Sequence, residues 1–362
     1  DSYTNIAVLQ ERYGFGDILS VATGAGMALA EFQGQYYDTD DLEAFSSQCG
    51  IDTVTVDLNY GGNSESRCSI GLEPCIESLL DIEYMGAVAQ PIPLAVYYSS
   101  TFSLLDWATT VGDNPDAEPV HSVSYGNDES QQTSDEYMYS CNTEFMKLGS
   151  KGISVLFASG DQGVWGRTGY SIRGTYNPDF PAGSPYITAV GGTDFLEKTT
   201  IGEETTWEDG GGGFSDTFAQ PSWQADAVET FFSTSSDLPD SSLYNATGRG
   251  YPDVAALAGT QNAYLISYKG GKFSAVGGTS AASPVVGGIF AMLVNERLLA
   301  GKTAMGWLNP FIYENGDCFN DVTSGTNSAG YSSGFTAIEG WDAATGYGTP
   351  DYDSLLAAAL AA

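Results

Sequence analysis

The stretch Gly277-Gly278-Thr279-Ser280-Ala281-Ala282-Ser283-Pro284 decides the fold. An apolar strand over 273–278 runs into two glycines, and a hydroxyl residue then opens an apolar helix whose body is expected over 284–299. Working outward, 186–193 (YITAVGGT), 153–161 (ISVLFASGD) and 120–126 (VHSVSYG) read as further strands that end in glycine or an acid. Helical stretches are expected over 75–90 and 133–149, and over 4–13 with Thr4 as its N-cap. Apolar strands alternating with helices predict an α/β fold, a parallel sheet flanked by helices on both faces. In such sheets functional side chains collect at the carboxyl ends of strands, where Asp161 and the GGTS run fall. Residues 205–250 are rich in Gly, Ser and Asp and read as long surface loops. Neither a repeat nor a low-complexity linker interrupts the chain, so 1–362 is expected to form one domain.

Asp and Glu number 46 against 12 Lys and Arg, a formal charge of −34 at pH 7. That balance excludes an ordinary nucleic-acid binder, which needs a basic face, and disfavours anionic membrane surfaces. With 42% hydrophobic residues the chain is too apolar for a disordered acidic tail. Two readings of the acidity stay open: a halophile-type surface, or work in acid, where carboxylates protonate near their reference values of about 4 and self-repulsion falls. No apolar run approaches the roughly 20 residues that span a bilayer; the longest, 285–294, contains two glycines. The start at Asp1, without Met or a signal-like segment, reads as a form from which a leader, a pro-segment or both have been removed. The five cysteines form no CxxC pair, which argues against zinc ribbons and thioredoxin chemistry. Cys68 could share a loop with Cys75 or with Cys49; one or two disulfides and one free thiol are expected. Asn245-Ala246-Thr247 is a glycosylation sequon, a pointer to secretion.

Ser280 at a helix N-terminus would have backbone N–H groups beside it to stabilise developing negative charge. The competing reading is that it merely caps the helix. A nucleophilic serine needs a base, and the only histidine, His121, lies inside a strand and reads as a buried structural residue. The candidate base is therefore Glu77, with Asp81 four residues on and on the same helix face. Two such acids repel when both are ionised, which favours a shared proton and work in acid; a solvated acidic stripe is the alternative. Asp161, at the end of an apolar strand, could be held protonated and donate to an oxyanion together with the Ser280 N–H, or it could cap the following turn. Asp321 and Asp342, with loop carbonyls between, make a hard oxygen set suited to Ca²⁺ without EF-hand spacing. One histidine and no HExxH exclude the usual zinc peptidase site.

The order E-x-x-x-D, SGD, GTSAASP, DV…GWD resembles the sedolisin family, the serine-carboxyl peptidases, over nearly the whole chain. Matching stretches include 123–126 (VSYG), 180–186 (FPAGSPY), 190–193 (VGGT), 211–215 (GGGFS), 251–256 (YPDVAA) and 346–350 (GYGTP). HSVSYGNDES, NTEFMK, LFASGDQG and YNATGRGYPDVAAL are most similar to its tripeptidyl-peptidase branch. The resemblance implies a subtilisin-like fold with Ser280 as nucleophile, Glu77 as general base, Asp81 orienting Glu77, and Asp161 at the oxyanion. It implies substrate contacts at Ser124, Tyr125, Gly126, Ser159, Gly160, Gly278 and Thr279. It also implies a Ca²⁺ cofactor held by Asp321 and Asp342 with carbonyls of Val322, Ile338 and Gly340, in a loop at about 317–345. The expected activity is acid hydrolysis of peptides or unfolded protein, releasing tripeptides from free N-termini, by an enzyme made with a pro-domain and acting in a lysosome, vacuole or acidic medium. Glu31 matches a position where some family endopeptidases extend the proton network, so endopeptidase action stays open. Near the calcium loop only Cys318 is present, a departure from the cysteines of the lysosomal branch. An inactive calcium-dependent binding protein is the alternative from another class.

Overall fold

The computed structural model describes residues 3–70 and 75–362, apart from the side chains of 171 and 173. Its centre is an eight-stranded sheet in the order Val254–Leu257, Thr188–Phe195, Ser154–Ala158, Val120–Val123, Met27–Phe32, Leu94–Ser99, Leu58–Tyr60. These seven strands pair in parallel, and Glu204–Thr206 adds an antiparallel strand beside Thr188–Phe195. Side chains alternate between two cores, as strand geometry requires. Met27 and Leu29 enter one core, while Ala28, Ala30 and Phe32 enter the other. Helices Ile76–Val88 and Thr279–Leu299 cover the first face, and Leu104–Asp113 and Asp135–Ser150 the second. Expectation and structure agree on a parallel sheet with helices on both faces.

Strand order reverses between Met27–Phe32 and Val120–Val123, because chain segments before this point extend to one side and those after it to the other. A crevice opens outside the carboxyl ends at such a switch point. The two helices of the first face pack directly on one another. Gly288 permits this: a Cβ there would lie 2.8 Å from Val88 Cγ1. Their amino ends both reach the crevice edge of the sheet, one carrying Glu77 and the other Ser280.

Several local expectations change. Thr4 is not a cap; it forms an isolated bridge with Tyr264, and Asn5 caps Ile6–Tyr13 through its side chain. The strand before the GGTS run, Lys272–Val276, is real but lies outside the central sheet, in an antiparallel hairpin with Tyr264–Tyr268. The following helix starts at Thr279, so Pro284 sits in its second turn. That helix has 21 residues and is long and apolar enough to cross a bilayer, yet 83% of its most apolar window is buried in the fold. The 205–250 region is not only loops. Strands Gly213–Ala219 and Gly248–Tyr251 pair, helix Ala225–Thr234 packs beside them, and Phe214, Val228, Phe231, Phe335 and Trp341 form a third core. Its aromatic residues, spaced among glycines and serines, carry the burial. Cys68 and Cys75 form a disulfide, and Cys49, Cys141 and Cys318 are free, so three thiols stand where one was expected. In the sequon, the Asn245 side-chain nitrogen donates to the Ser215 carbonyl.

Candidate active site

Helix Ile76–Val88 begins right after the Cys68–Cys75 disulfide, so Glu77 stands in the first turn of an anchored helix. Asp81 follows one turn later, fully buried, while Leu79 and Leu80 face the core. Ser280 is the second residue of helix Thr279–Leu299. The cap position belongs to Gly278, with no side-chain cap bond, so the capping role for Ser280 is overturned. Ser280 instead lines the same cavity as Glu77, close enough for its hydroxyl to act on that carboxyl. A solvated acidic stripe is overturned too, since the Glu77 and Asp81 carboxyls are buried.

Ser124 ties the two helices together. Its hydroxyl lies 3.0 Å from Asp81 Oδ1 and 3.3 Å from the Ser280 carbonyl oxygen. That carbonyl would normally accept the N–H four residues on, but Pro284 has none. Behind Asp81, the buried Glu31 accepts the Tyr125 hydroxyl at 2.8 Å. Glu31, Glu77 and Asp81 each keep one buried carboxyl oxygen without a hydrogen-bond partner, a pattern that acid protons would satisfy.

Burial pushes Glu77 up to about 7; the Ser280 hydroxyl pulls it down, a charge on Asp161 raises it, and Arg167 lowers it. Asp81 is raised well above the usual carboxylate range, first by burial and then by Glu31 and Glu77. Burial also raises Asp161, against the opposing pull of Thr279 and Arg167. The Thr279 N–H and hydroxyl both donate to Asp161 Oδ1, at 2.7 and 2.9 Å. Asp161 therefore does cap a helix, but the Ser280 helix across the site rather than its own turn.

A cavity of about 310 Å³ is lined by Glu77, Ser280, Asp161, Ser124, Tyr125, Gly126 and Arg167, with Gln33, Gln35, Phe102 and Asn127 completing it. A larger cavity of about 380 Å³ opens at the amino ends of the strands, around Gly26, Leu94 and Pro119, and holds no serine–carboxyl pair. Of the expected contact residues, Ser124, Tyr125 and Gly126 line the site. Gly160 and Gly278 flank Asp161, with φ of +109° and +143°. Thr279 is spent on Asp161, and Ser159 is buried with its hydroxyl on the Gly211 carbonyl at 2.7 Å. Gln33, Arg167 and Phe102 were missed because no motif marks them, although Arg167 is one of few cations and lies six residues after Asp161. His121 is fully buried, with neither ring nitrogen hydrogen-bonded, and has no part in the site.

In the C-terminal loop, Asp321 Oδ2 accepts the Gly340 N–H at 2.8 Å, and the fully buried Asp342 accepts the Ile338 N–H at 3.1 Å. Val322 lies next to Asp321 and is buried. Among the described residues the carbonyls of Val322, Ile338 and Gly340 accept no hydrogen bond, and no cluster of three or more His, Cys, Asp or Glu is placed to hold a metal.

The subtilase family model matches residues 89–305. The chain belongs to the subtilase family. The matched segment holds Asp161 and Ser280 but stops short of Glu77 and Asp81. Tripeptidyl-peptidase 1 from Canis lupus familiaris is 38% identical over 375 residues, 98% of this chain and 64% of that protein. The Homo sapiens protein of the same name is 36% identical over 371 residues, 97% and 63%. The chain thus spans under two thirds of the length of these relatives. Among solved structures, Pseudomonas sedolisin, a serine-carboxyl proteinase complexed with pseudo-iodotyrostatin, superposes with a TM-score of 0.77 at 25% identity, covering 98% of this chain and 97% of that one. A lanthipeptide protease superposes with a TM-score of 0.58 at 14% identity, covering 92% and 87%, which speaks to the fold alone. The resemblance to sedolisins read from the motifs is borne out.

Proposed function

We propose that this subtilase is an acid-acting serine-carboxyl peptidase that releases tripeptides from free N-termini. The observation that carries the reading is the cavity that brings Ser280 together with the Glu77 and Asp161 carboxyls, a serine beside a carboxylic base in a chain whose one histidine is buried elsewhere. Ser280 Oγ attacks the scissile carbonyl as Glu77 takes its proton. Asp161, protonated on the oxygen that Thr279 leaves free, donates to the oxyanion. The acyl-enzyme forms as the amine departs with the proton from Glu77, and water, deprotonated by Glu77, releases the peptide. Protonating Asp161 removes the charge that raises Glu77, so acid itself separates the two carboxyls into a neutral donor and a base. Asp81 holds Glu77's side of the proton network, and Glu31 and Tyr125 extend it.

The C-terminal loop is the candidate Ca²⁺ site: its two carboxylates each accept an N–H from the 338–340 segment, and three of its carbonyls accept no hydrogen bond among the described residues. Asp321, Asp342 and the carbonyls of Val322, Ile338 and Gly340 would hold the ion, and it would offset buried negative charge. Peptides or unfolded proteins are the substrates, the whole of 1–362 the catalytic domain, its own pro-domain the partner before activation, and an acidic lysosomal, vacuolar or extracellular medium the setting. The tripeptidyl-peptidase 1 relatives favour exopeptidase action, while the buried Glu31–Tyr125 pair favours internal cleavage. One peptide offered free and N-acetylated separates them. Loss of successive tripeptides from the free form alone supports the exopeptidase, internal cuts in both forms support an endopeptidase, and no cleavage at any pH contradicts the peptidase reading.

A further inference from the structure

The cleft carries a permanent positive charge in a chain with 46 acids and 12 Lys and Arg. Arg167 lines the cavity with Glu77, Asp161 and Ser280, and its side chain is exposed there. Among the described residues its guanidinium has no ion-pair partner, unlike Arg12, Lys147 and Arg249.

Its position is built into the loop. The Arg167 and Thr168 N–H groups donate to the two oxygens of the buried Asp128, at 2.9 and 2.6 Å. Gly166 makes the approach possible: its φ is +58°, and a Cβ would lie 2.4 Å from Asp128 Oδ1. Asp128 is thereby satisfied by backbone, and the guanidinium is left for the cleft. The carboxyls that feel its charge are Glu77, Asp161 and Asp179, all raised by burial, so in acid they do little to neutralise it.

We propose that Arg167 is a specificity residue that binds a substrate carboxylate, so that peptides with Asp or Glu near the scissile bond are preferred over their amides. This rests on the peptidase reading. A guanidinium fork takes a carboxylate through two parallel hydrogen bonds, which an amide cannot match. In a partly exposed cleft the preference is about 3- to 10-fold.

Peptides differing only by Glu or Gln are compared at each of the three positions before the cleaved bond and the two after it. The wild-type protein should favour Glu in kcat/KM at one position, Arg167→Gln should bring that ratio to about 1, and Arg167→Glu should invert it. Binding of the same pairs to Ser280→Ala, read as Kd, should show the same preference without turnover. Equal binding of Glu and Gln peptides at every position, or a preference that survives Arg167→Gln, overturns the proposal. Hydrolysis of neither peptide, with Glu still bound more tightly, would instead remove the peptidase reading and leave the carboxylate site standing.

Discussion

Thr279 gives both its N–H and its hydroxyl to the same oxygen of Asp161, at 2.7 and 2.9 Å. The arrangement fixes the carboxyl at the amino end of the Ser280 helix and leaves its second oxygen without a Thr279 donor, where the proposed mechanism puts the acid proton. An Asp161→Asn variant keeps a donor there at any pH, whereas Asp161→Ala keeps none. Asp161→Ala should lose about 10²–10³-fold in kcat. Asp161→Asn should retain more, with the alkaline fall of the rate moved to higher pH. Rate–pH profiles of the three proteins check this.

Ser124 supports the site through two others, Asp81 and the Ser280 carbonyl that Pro284 deprives of a helical donor. Ser124→Ala should lower kcat by about 10-fold, the scale of roughly 1.4 kcal/mol, and shift the acid limb of the profile as Asp81 loses a donor. Ser124→Thr should restore both. An unchanged profile in Ser124→Ala would make the hydroxyl merely structural.

Stability should peak in acid. Burial pushes Glu129 up to about 7 and Asp194 up to about 6. Both titrate higher folded than unfolded, so the stabilisation is whole below about pH 4 and is lost as pH rises through these values. His121 works the other way: burial pushes it down to about 3, so its contribution is present above about 6.5 and lost as pH falls. Buried acids outnumber this single base, so Tm should be highest between about pH 4 and 6 and drop as pH passes 7. Thermal melts across pH test the sign.

The Cys68–Cys75 disulfide closes a short loop at the start of the Glu77 helix. Replacing both cysteines by serine should cost about 2–3 kcal/mol by loop entropy and lower kcat more than substrate binding, because Glu77 loses its anchor. Denaturant melts with kcat and KM read the two effects.

Chelation should lower Tm, and adding back Ca²⁺ should restore it, if Asp321 and Asp342 hold the ion. Asp342→Asn should abolish that response. A Tm indifferent to chelator and Ca²⁺ would remove the cation from this loop.

The candidate site was legible because it rides on short contiguous motifs: E-x-x-x-D on one helix, SGD after one strand, GTS at the start of another helix. Each fixes a residue at an element terminus, and the sheet brings those termini together. Strands Met27–Phe32 and Leu94–Ser99 carry small and mixed residues and were not singled out, although they lie inside the sheet, between Val120–Val123 and the edge strand Leu58–Tyr60. The aromatic core under 205–250 was hidden by its glycines and serines, since Phe214 and Phe231 find partners as distant as Phe335 and Trp341. Arg167 belongs to no motif; only the folded loop carries it to the cleft.

Hydrolysis of an unblocked peptide by the wild-type protein and by Ser280→Ala, side by side from about pH 3 to about pH 8, tests the account most directly. The account predicts a bell-shaped acid optimum for the wild type and a loss of at least about 10⁴-fold in kcat for the variant. Near-full activity in Ser280→Ala would contradict it.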